Sequence, residues 1–376
     1  MTISHREAAP GGERRLLGEQ KPQLRLVEDE ALNAEADPHL LDEPLTPVPS
    51  FFVRNNGTLP QIGEGALKSW TLTIDGEVSR PKSWTLAELK SSFEIVSETA
   101  VLECAGNGRA SFTPATDGLQ WGNGAVGCAR WTGLRLRDLL LASGLKDTAV
   151  YTGHYAPDVQ TNGSGKPALS RGLPIGKAMA PETLIAFEMN GAPLALLHGA
   201  PLRIVAPGFP GSAWQKWLNR IWVRNREHDG EKMTGTDYRL PRHPIPPGTR
   251  PDLNDFAVIV DMPVKSLITA PAEGALVPAG SLHVRGFAWG GHVPAKAVDV
   301  SADGGATWVR AELAPAEGRF AWRRFRASVT VAAGPAILMA RATDEAGRSQ
   351  PLDQAPWNPR GYCNNGVHRV RVNVSA

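Results

Sequence analysis

A chain of 376 residues with a net charge of +2, 42% hydrophobic and 21% charged residues has room for two domains, each with its own core. The ordinary apolar content excludes a fibrous or wholly disordered chain. The balanced charge excludes a dedicated nucleic-acid binder, and the absence of any long apolar run predicts no membrane-spanning helix.

Residues 1–45 are polar, charged and dotted with proline, which predicts an extended arm that orders by lying on another surface. Arg14 and Arg15 open the stretch RRLLGEQKPQLRLVEDE, which turns acidic where an export leader must become apolar. A cytoplasmic chain is expected, with the periplasm open if this is the mature form of an exported protein. Residues 46–250 then alternate strand and helix signals. WTLTIDGEV reads as a strand, TLAELKSSF as a short helix capped by Thr85, and RLRDLLLASGL as a helix ending at Gly144. The proline-rich TGTDYRLPRHPIPPGTRPDLNDF predicts the crossing between two units. From there to residue 376 the pattern changes to SLHVRGFAWGG, KAVDVSADGGATWVRAEL, AILMARATDEAG and HRVRVNV. These are short alternating segments parted by Gly and Asp turns, as in an antiparallel β-sandwich.

Cys104, Cys128 and Cys363 lie far apart, outside any CxxC or zinc-type spacing, so no disulfide framework is expected. There is no CxxCH for attached haem and no GxGxxG or P-loop for a nucleotide. Cys104 stands between an apolar run and a loop of small residues, TAVLECAGNGRASF. It admits three readings: a buried small hydrophobe, a nucleophile with His154 or His198 as base, or a soft ligand to a metal. The small residues that leave space beside it, and the positive charge of Arg109, favour the last.

CAGNGR at 104–109 resembles the cysteine motif of the sulfite oxidase family of molybdenum enzymes. FFVRNN at 51–56, GLQWGNGAVGCARWTGLRLRDLL and PETLIAFEMNGAPLALLHGAPLRIVAPGFPGSAWQKWL are similar to further motifs of that family, in the same order. ITAPAEGALVPAG, GFAWGG, VDVSADGGATW and WNPRGYCNNGVHRVRV resemble successive stretches of its C-terminal domain. The resemblance implies an α+β chain: a mixed α/β molybdopterin-binding domain over 46–250, then an immunoglobulin-like β-sandwich dimerisation domain over 251–376.

It also implies one molybdopterin carrying molybdenum, with Cys104 as the protein's ligand to the metal and no haem in this chain. Carried over by motif, Phe51, Phe52, Val53, Arg54, Asn55, His198, Arg203, Trp214, Gln215 and Lys216 hold the cofactor, with Asp158 added from a looser match. The implied activity is oxidation of sulfite to sulfate by oxygen-atom transfer, with Arg54 and Arg109 holding the anion. Electrons pass to an external acceptor, a cytochrome or dioxygen, and the chain pairs as a homodimer. Three departures bear on the substrate. Leu169 stands where the family has a tyrosine, with Arg171 nearby; Gly108 replaces a basic residue; and a further arginine is missing, with His292 close to its place. The alternatives are an oxyanion or sulfoxide reductase of nitrate-reductase type on the same cofactor, and a non-catalytic β-sandwich binding protein.

Overall fold

The strand that carries the candidate cysteine, Ile95–Glu103, is half exposed at its start and fully buried over its last four residues. It pairs antiparallel along its whole length with Val126–Arg135, from Ile95 opposite Leu134 to Glu103 opposite Val126. In the computed structural model, which describes residues 12–249 and 252–376, these two strands belong to a five-stranded sheet completed by Leu184–Met189, Ala192–Pro193 and Arg203–Val205. A second sheet is ordered Lys82–Thr85, Thr71–Gly76, Arg220–Arg224, Tyr151–Tyr155, Gly172–Pro174, with Arg220–Arg224 running parallel to Thr71–Gly76. Thr71–Gly76 falls within the segment read as a strand. The helix expected after it is Leu86–Ser92. Its cap is reciprocal: the Glu88 amide donates to Thr85 Oγ1 at 3.1 Å and the Thr85 amide donates to Glu88 Oε2 at 2.7 Å. The helix Leu136–Ala142 ends just before Gly144, whose φ of 70° favours glycine.

The C-terminal unit is a sandwich of two sheets. One is ordered Lys265–Ala270, Gly280–Trp289, Arg323–Val331, Glu312–Leu313; the other Leu276–Pro278, His368–Ser375, Gly334–Asp344, Ala295–Ser301, Val309–Arg310. In His368–Ser375 the side chains of Val370, Val372 and Val374 are buried while their neighbours face solvent, the period of two that the sequence shows. The two units have separate apolar cores, and a third cluster with Val101, Cys128, Leu267, Phe287, Trp289 and Trp322 joins them. Glu103 adds a polar tie: Trp289 Nε1 donates to its Oε2 at 2.8 Å and Lys265 Nζ to its Oε1 at 3.2 Å. The residue beside Cys104 is therefore clamped by the sandwich.

The N-terminal arm carries the helix Gly12–Gln20 and a hairpin of Arg25–Glu28 with Asn33–Glu35. Ala34 and Val53 exchange backbone hydrogen bonds at 3.0 and 2.8 Å, so the arm lies along the segment expected to hold the cofactor. The side chains of Arg14 and Arg15, and the boundary expected at 250/251, lie outside the described residues. The proline-rich crossing folds back: Arg239–Pro241 pairs antiparallel with Phe256–Val258, and Tyr238 ahead of it is buried. The crossing expected here is packed between the units: Tyr238 clusters with Ala105 and Leu169 of the first and with Tyr362 and Cys363 of the second.

Candidate functional site

Cys104 follows its strand directly, and its amide donates to the Ala125 carbonyl at 2.9 Å. The loop after it is fixed by Asn107, whose side chain donates to Glu103 at 2.9 Å and accepts from the Ala125 amide at 3.1 Å. Gly108 has a φ of 89°, a conformation a side chain would strain, which accounts for glycine at this point of the motif. All three cysteines are free. Burial pushes the Cys128 and Cys363 thiols up to about 12, so neither is a thiolate near neutral pH.

Cys104 lines a cleft together with Leu102, Leu197 and Trp217. Among the expected residues, Phe52, Arg54, Asn55, Asp158, His198, Arg203, Trp214, Gln215 and Lys216 line it with Cys104. Phe51 and Val53 do not. Phe51 packs behind the wall against Trp131 and His198, with ring centroids 6.0 and 5.4 Å away, and Val53 is held by the arm.

The cleft's electrostatics are unbalanced. Arg203 donates only to carbonyls, those of His198 at 2.9 Å and Trp214 at 3.3 Å, and stands 4.7 Å from the Trp131 ring centroid. With no carboxylate beside it, burial lowers its pKa to about 9. Lys216 bonds to Asn55 Oδ1 and to the Leu197 carbonyl, and burial first, then Arg203, hold it well below the usual lysine range. Burial lowers Lys21, against the back of the wall, to about 7. The carboxyl of Asp158 is pushed up to about 6, again by burial. Four buried atoms along this wall have no hydrogen-bond partner: Asp158 Oδ1, His198 Nε2, Ser212 Oγ and Gln215 Oε1. Buried polar atoms are normally paired, so such a set suits a polar, anionic group that takes these donors and acceptors.

Three expected substrate residues, Arg109, Arg171 and His292, are not among the residues that line this cleft. The Arg109 guanidinium donates to the carbonyls of Arg360 and Leu119, both at 2.7 Å, and stands 5.2 Å from the Tyr362 ring centroid. The Cβ of a side chain at Gly106 would lie 2.5 Å from it, so the loop closes over this arginine and keeps it out of the cleft. Arg171 is almost wholly buried, donates to the Lys232 carbonyl at 2.7 Å and stands 4.9 Å from the Tyr238 ring centroid. His292 is held by Asp261 at 3.0 Å and packs on Phe209. Leu169 does line the cleft. Sequence reasoning missed Asn56 and Tyr238, which also line it. Asn56 carried a signal as the last residue of FFVRNN. Tyr238, one of four tyrosines, was hidden in the proline-rich crossing.

Among the described residues no group of three or more His, Cys, Asp or Glu is placed to hold a metal ion. The cleft itself offers a metal one thiol and surrounds it with donors suited to an organic anion. The family model for the oxidoreductase molybdopterin binding domain matches residues 56–232, and that for the Mo-co oxidoreductase dimerisation domain matches 256–375. Fold and site thus define a molybdopterin-dependent oxidoreductase with a dimerisation domain. Sulfite oxidase of Gallus gallus is 36% identical over 376 residues, covering 96% of this chain and 81% of that protein. Nitrate reductase [NAD(P)H] of Hordeum vulgare is 31% identical over 378 residues, covering 93% of this chain and 42% of its own length. The crystal structure of the sulfane dehydrogenase SoxCD from Paracoccus pantotrophus matches with a TM-score of 0.79 at 25% identity, covering 100% of this chain and 96% of that one. The chain belongs to the sulfite oxidase family, and its cofactor is molybdenum on molybdopterin. No helix among the described residues is long and apolar enough to cross a membrane.

Proposed function

We propose that the protein oxidises sulfite to sulfate, with the cofactor in the cleft beside Cys104. The observation that carries this reading is the excess of buried cations and orphaned polar atoms around one thiol. Arg203, Lys216 and His198 hold the cofactor's phosphate and pterin, and Asp158, Ser212 and Gln215 bond its remaining polar edge. A soft thiolate suits the metal, and Cys104 supplies it. When bound, the cofactor supplies the oxygen-atom transfer and two-electron chemistry that no side chain of the cleft can perform.

The chain's own contribution is electrostatic. Arg54 reaches the cleft from the arm-bound segment, where its Nη1 donates to Asn33 at 3.3 Å. It binds the sulfite dianion and neutralises charge as sulfate forms. Phe52, Leu102, Leu169, Leu197, Trp214 and Trp217 give the cleft apolar walls that exclude water and strengthen those interactions. Sulfite gains one oxygen, drawn in net from water, while two protons are released. The two electrons leave for an external acceptor, a cytochrome or dioxygen, and two copies pair through the sandwich.

The test is metal content together with sulfite-dependent reduction of ferricyanide, on protein made in a host that synthesises the cofactor. About one molybdenum per chain with turnover is expected. Fully loaded protein that leaves sulfite untouched would discard the substrate.

A further inference from the structure

Asn56 Oδ1 accepts from three side chains at once: Arg54 Nη2 at 2.9 Å, Lys232 Nζ at 2.9 Å and the Tyr238 hydroxyl at 3.1 Å. An amide oxygen has two lone pairs, so three donors oversubscribe it. Two are cationic, and among the described residues no carboxylate is bonded to any of the three. A cluster of this kind has the charge and the donor count to receive an anion with several oxygens.

The backbone agrees. Lys232 and Tyr238 both adopt the left-handed conformation, with φ of 64° and 51°, as does Trp217 of the cleft wall at 49°. That conformation is strained for a bulky residue, and such strain gathers where a side chain must be aimed. Tyr238 is also held from behind. Its ring stacks on Tyr362 at 5.2 Å and 15°, with Arg171 4.9 Å from its centroid and Arg109 5.2 Å from that of Tyr362. The two arginines that do not reach the cleft thus brace the tyrosine that does. Asn56 lines both the main cleft and an outer hollow that Lys232 also lines, so the cluster lies where the two meet.

The structure assigns Tyr238 and Lys232, together with Arg54, to the oxyanion-binding site of the reaction, with Asn56 Oδ1 occupying the donors until a substrate oxygen takes them. The loop 232–238 thereby supplies the hydroxyl that Leu169 cannot. This assignment rests on the sulfite reading, and its experiment keeps the two separable.

Molybdenum-loaded full-length protein is compared with Tyr238→Phe and Lys232→Met by two readouts: sulfite KM and kcat, and the dissociation constant for sulfate by calorimetry, which needs no turnover. Phenylalanine keeps the ring stack, and Lys232 is partly exposed, so neither change removes a core contact. Each variant raises the sulfite KM and the sulfate dissociation constant about five- to tenfold, with kcat within about twofold and molybdenum content unchanged. Values within about twofold of the parent in both variants overturn the assignment while leaving sulfite oxidation standing. A parent that binds no sulfate overturns it as well. If the parent binds sulfate, Tyr238→Phe weakens that binding and neither turns over sulfite, the oxyanion site stands and the sulfite reading falls.

Discussion

Two groups of side chains share one cleft and are built in opposite ways. Around His198, Asp158, Ser212 and Gln215, buried polar atoms have no partner, and the cations Arg203 and Lys216 have burial as the dominant influence on their charge. Around Asn56, Arg54 Nη2, Lys232 Nζ and the Tyr238 hydroxyl each have a partner, and it is the same one. The first arrangement is costly without a ligand, and it fits a cofactor that binds once and stays. The second is satisfied without a ligand and can exchange Asn56 for a substrate oxygen at little cost, which fits an anion that arrives and leaves at each turnover.

The most damaging way to break the comparison is to remove the atom that both groups surround. Cys104→Ser replaces a soft ligand by a hard one, and sulfite turnover per chain is expected to fall at least about a thousandfold, read alongside metal content. Arg54→Met removes a charge from the exchangeable group only. Sulfite KM should rise roughly ten- to a hundredfold at unchanged molybdenum content. Lys216→Met sharpens the contrast because its two effects have opposite signs. Removing a buried cation that burial and Arg203 disfavour should stabilise cofactor-free protein by roughly 1 to 3 kcal/mol, seen as a higher Tm. The same change should lower molybdenum loading severalfold, seen by metal analysis after expression in a cofactor-competent host.

The smallest effect on turnover lies behind the cleft, at His154, which is wholly buried on Tyr151–Tyr155 with its Nδ1 unpartnered. Burial lowers its pKa from 6.5 to about 3. The unfolded chain therefore takes up this proton first as pH falls. The stability tied to the neutral ring is complete above about 6.5 and is lost progressively toward about 3. His154→Gln should flatten that part of the pH dependence in urea denaturation between the two limits. A variant curve parallel to the parent's would show that other groups set the acid limit.

Much of this was legible in the chain. The alternation in HRVRVNV placed Val370, Val372 and Val374 inward because a strand has a period of two, and the Thr85 to Glu88 spacing gave a helix start because the cap is local chemistry. The small-residue loop after Cys104 marked the candidate site for the same reason: glycine's conformational freedom is a property of the residue itself. Motif order carried Arg54, His198, Arg203 and Lys216 into one cleft. It did not place Arg109, Arg171 and His292 among the residues that line that cleft. Where a long side chain points depends on which carbonyl or ring from a distant segment meets it, and for Arg109 those are the Arg360 carbonyl and the Tyr362 ring, some 250 residues away.

Sequence by itself therefore determined the family, the two-part α+β architecture and the cofactor, because each rests on local pattern or on motif identity. Tertiary structure alone decided which cations are left without a counter-charge, that the arm builds the back of the site through Asn33 and Ala34, and that Tyr238 leaves a proline-rich crossing to enter the cleft. Those outcomes depend on distances between segments far apart in the chain. Hydrogen bonding and desolvation act through such distances, and no spacing in the sequence encodes them.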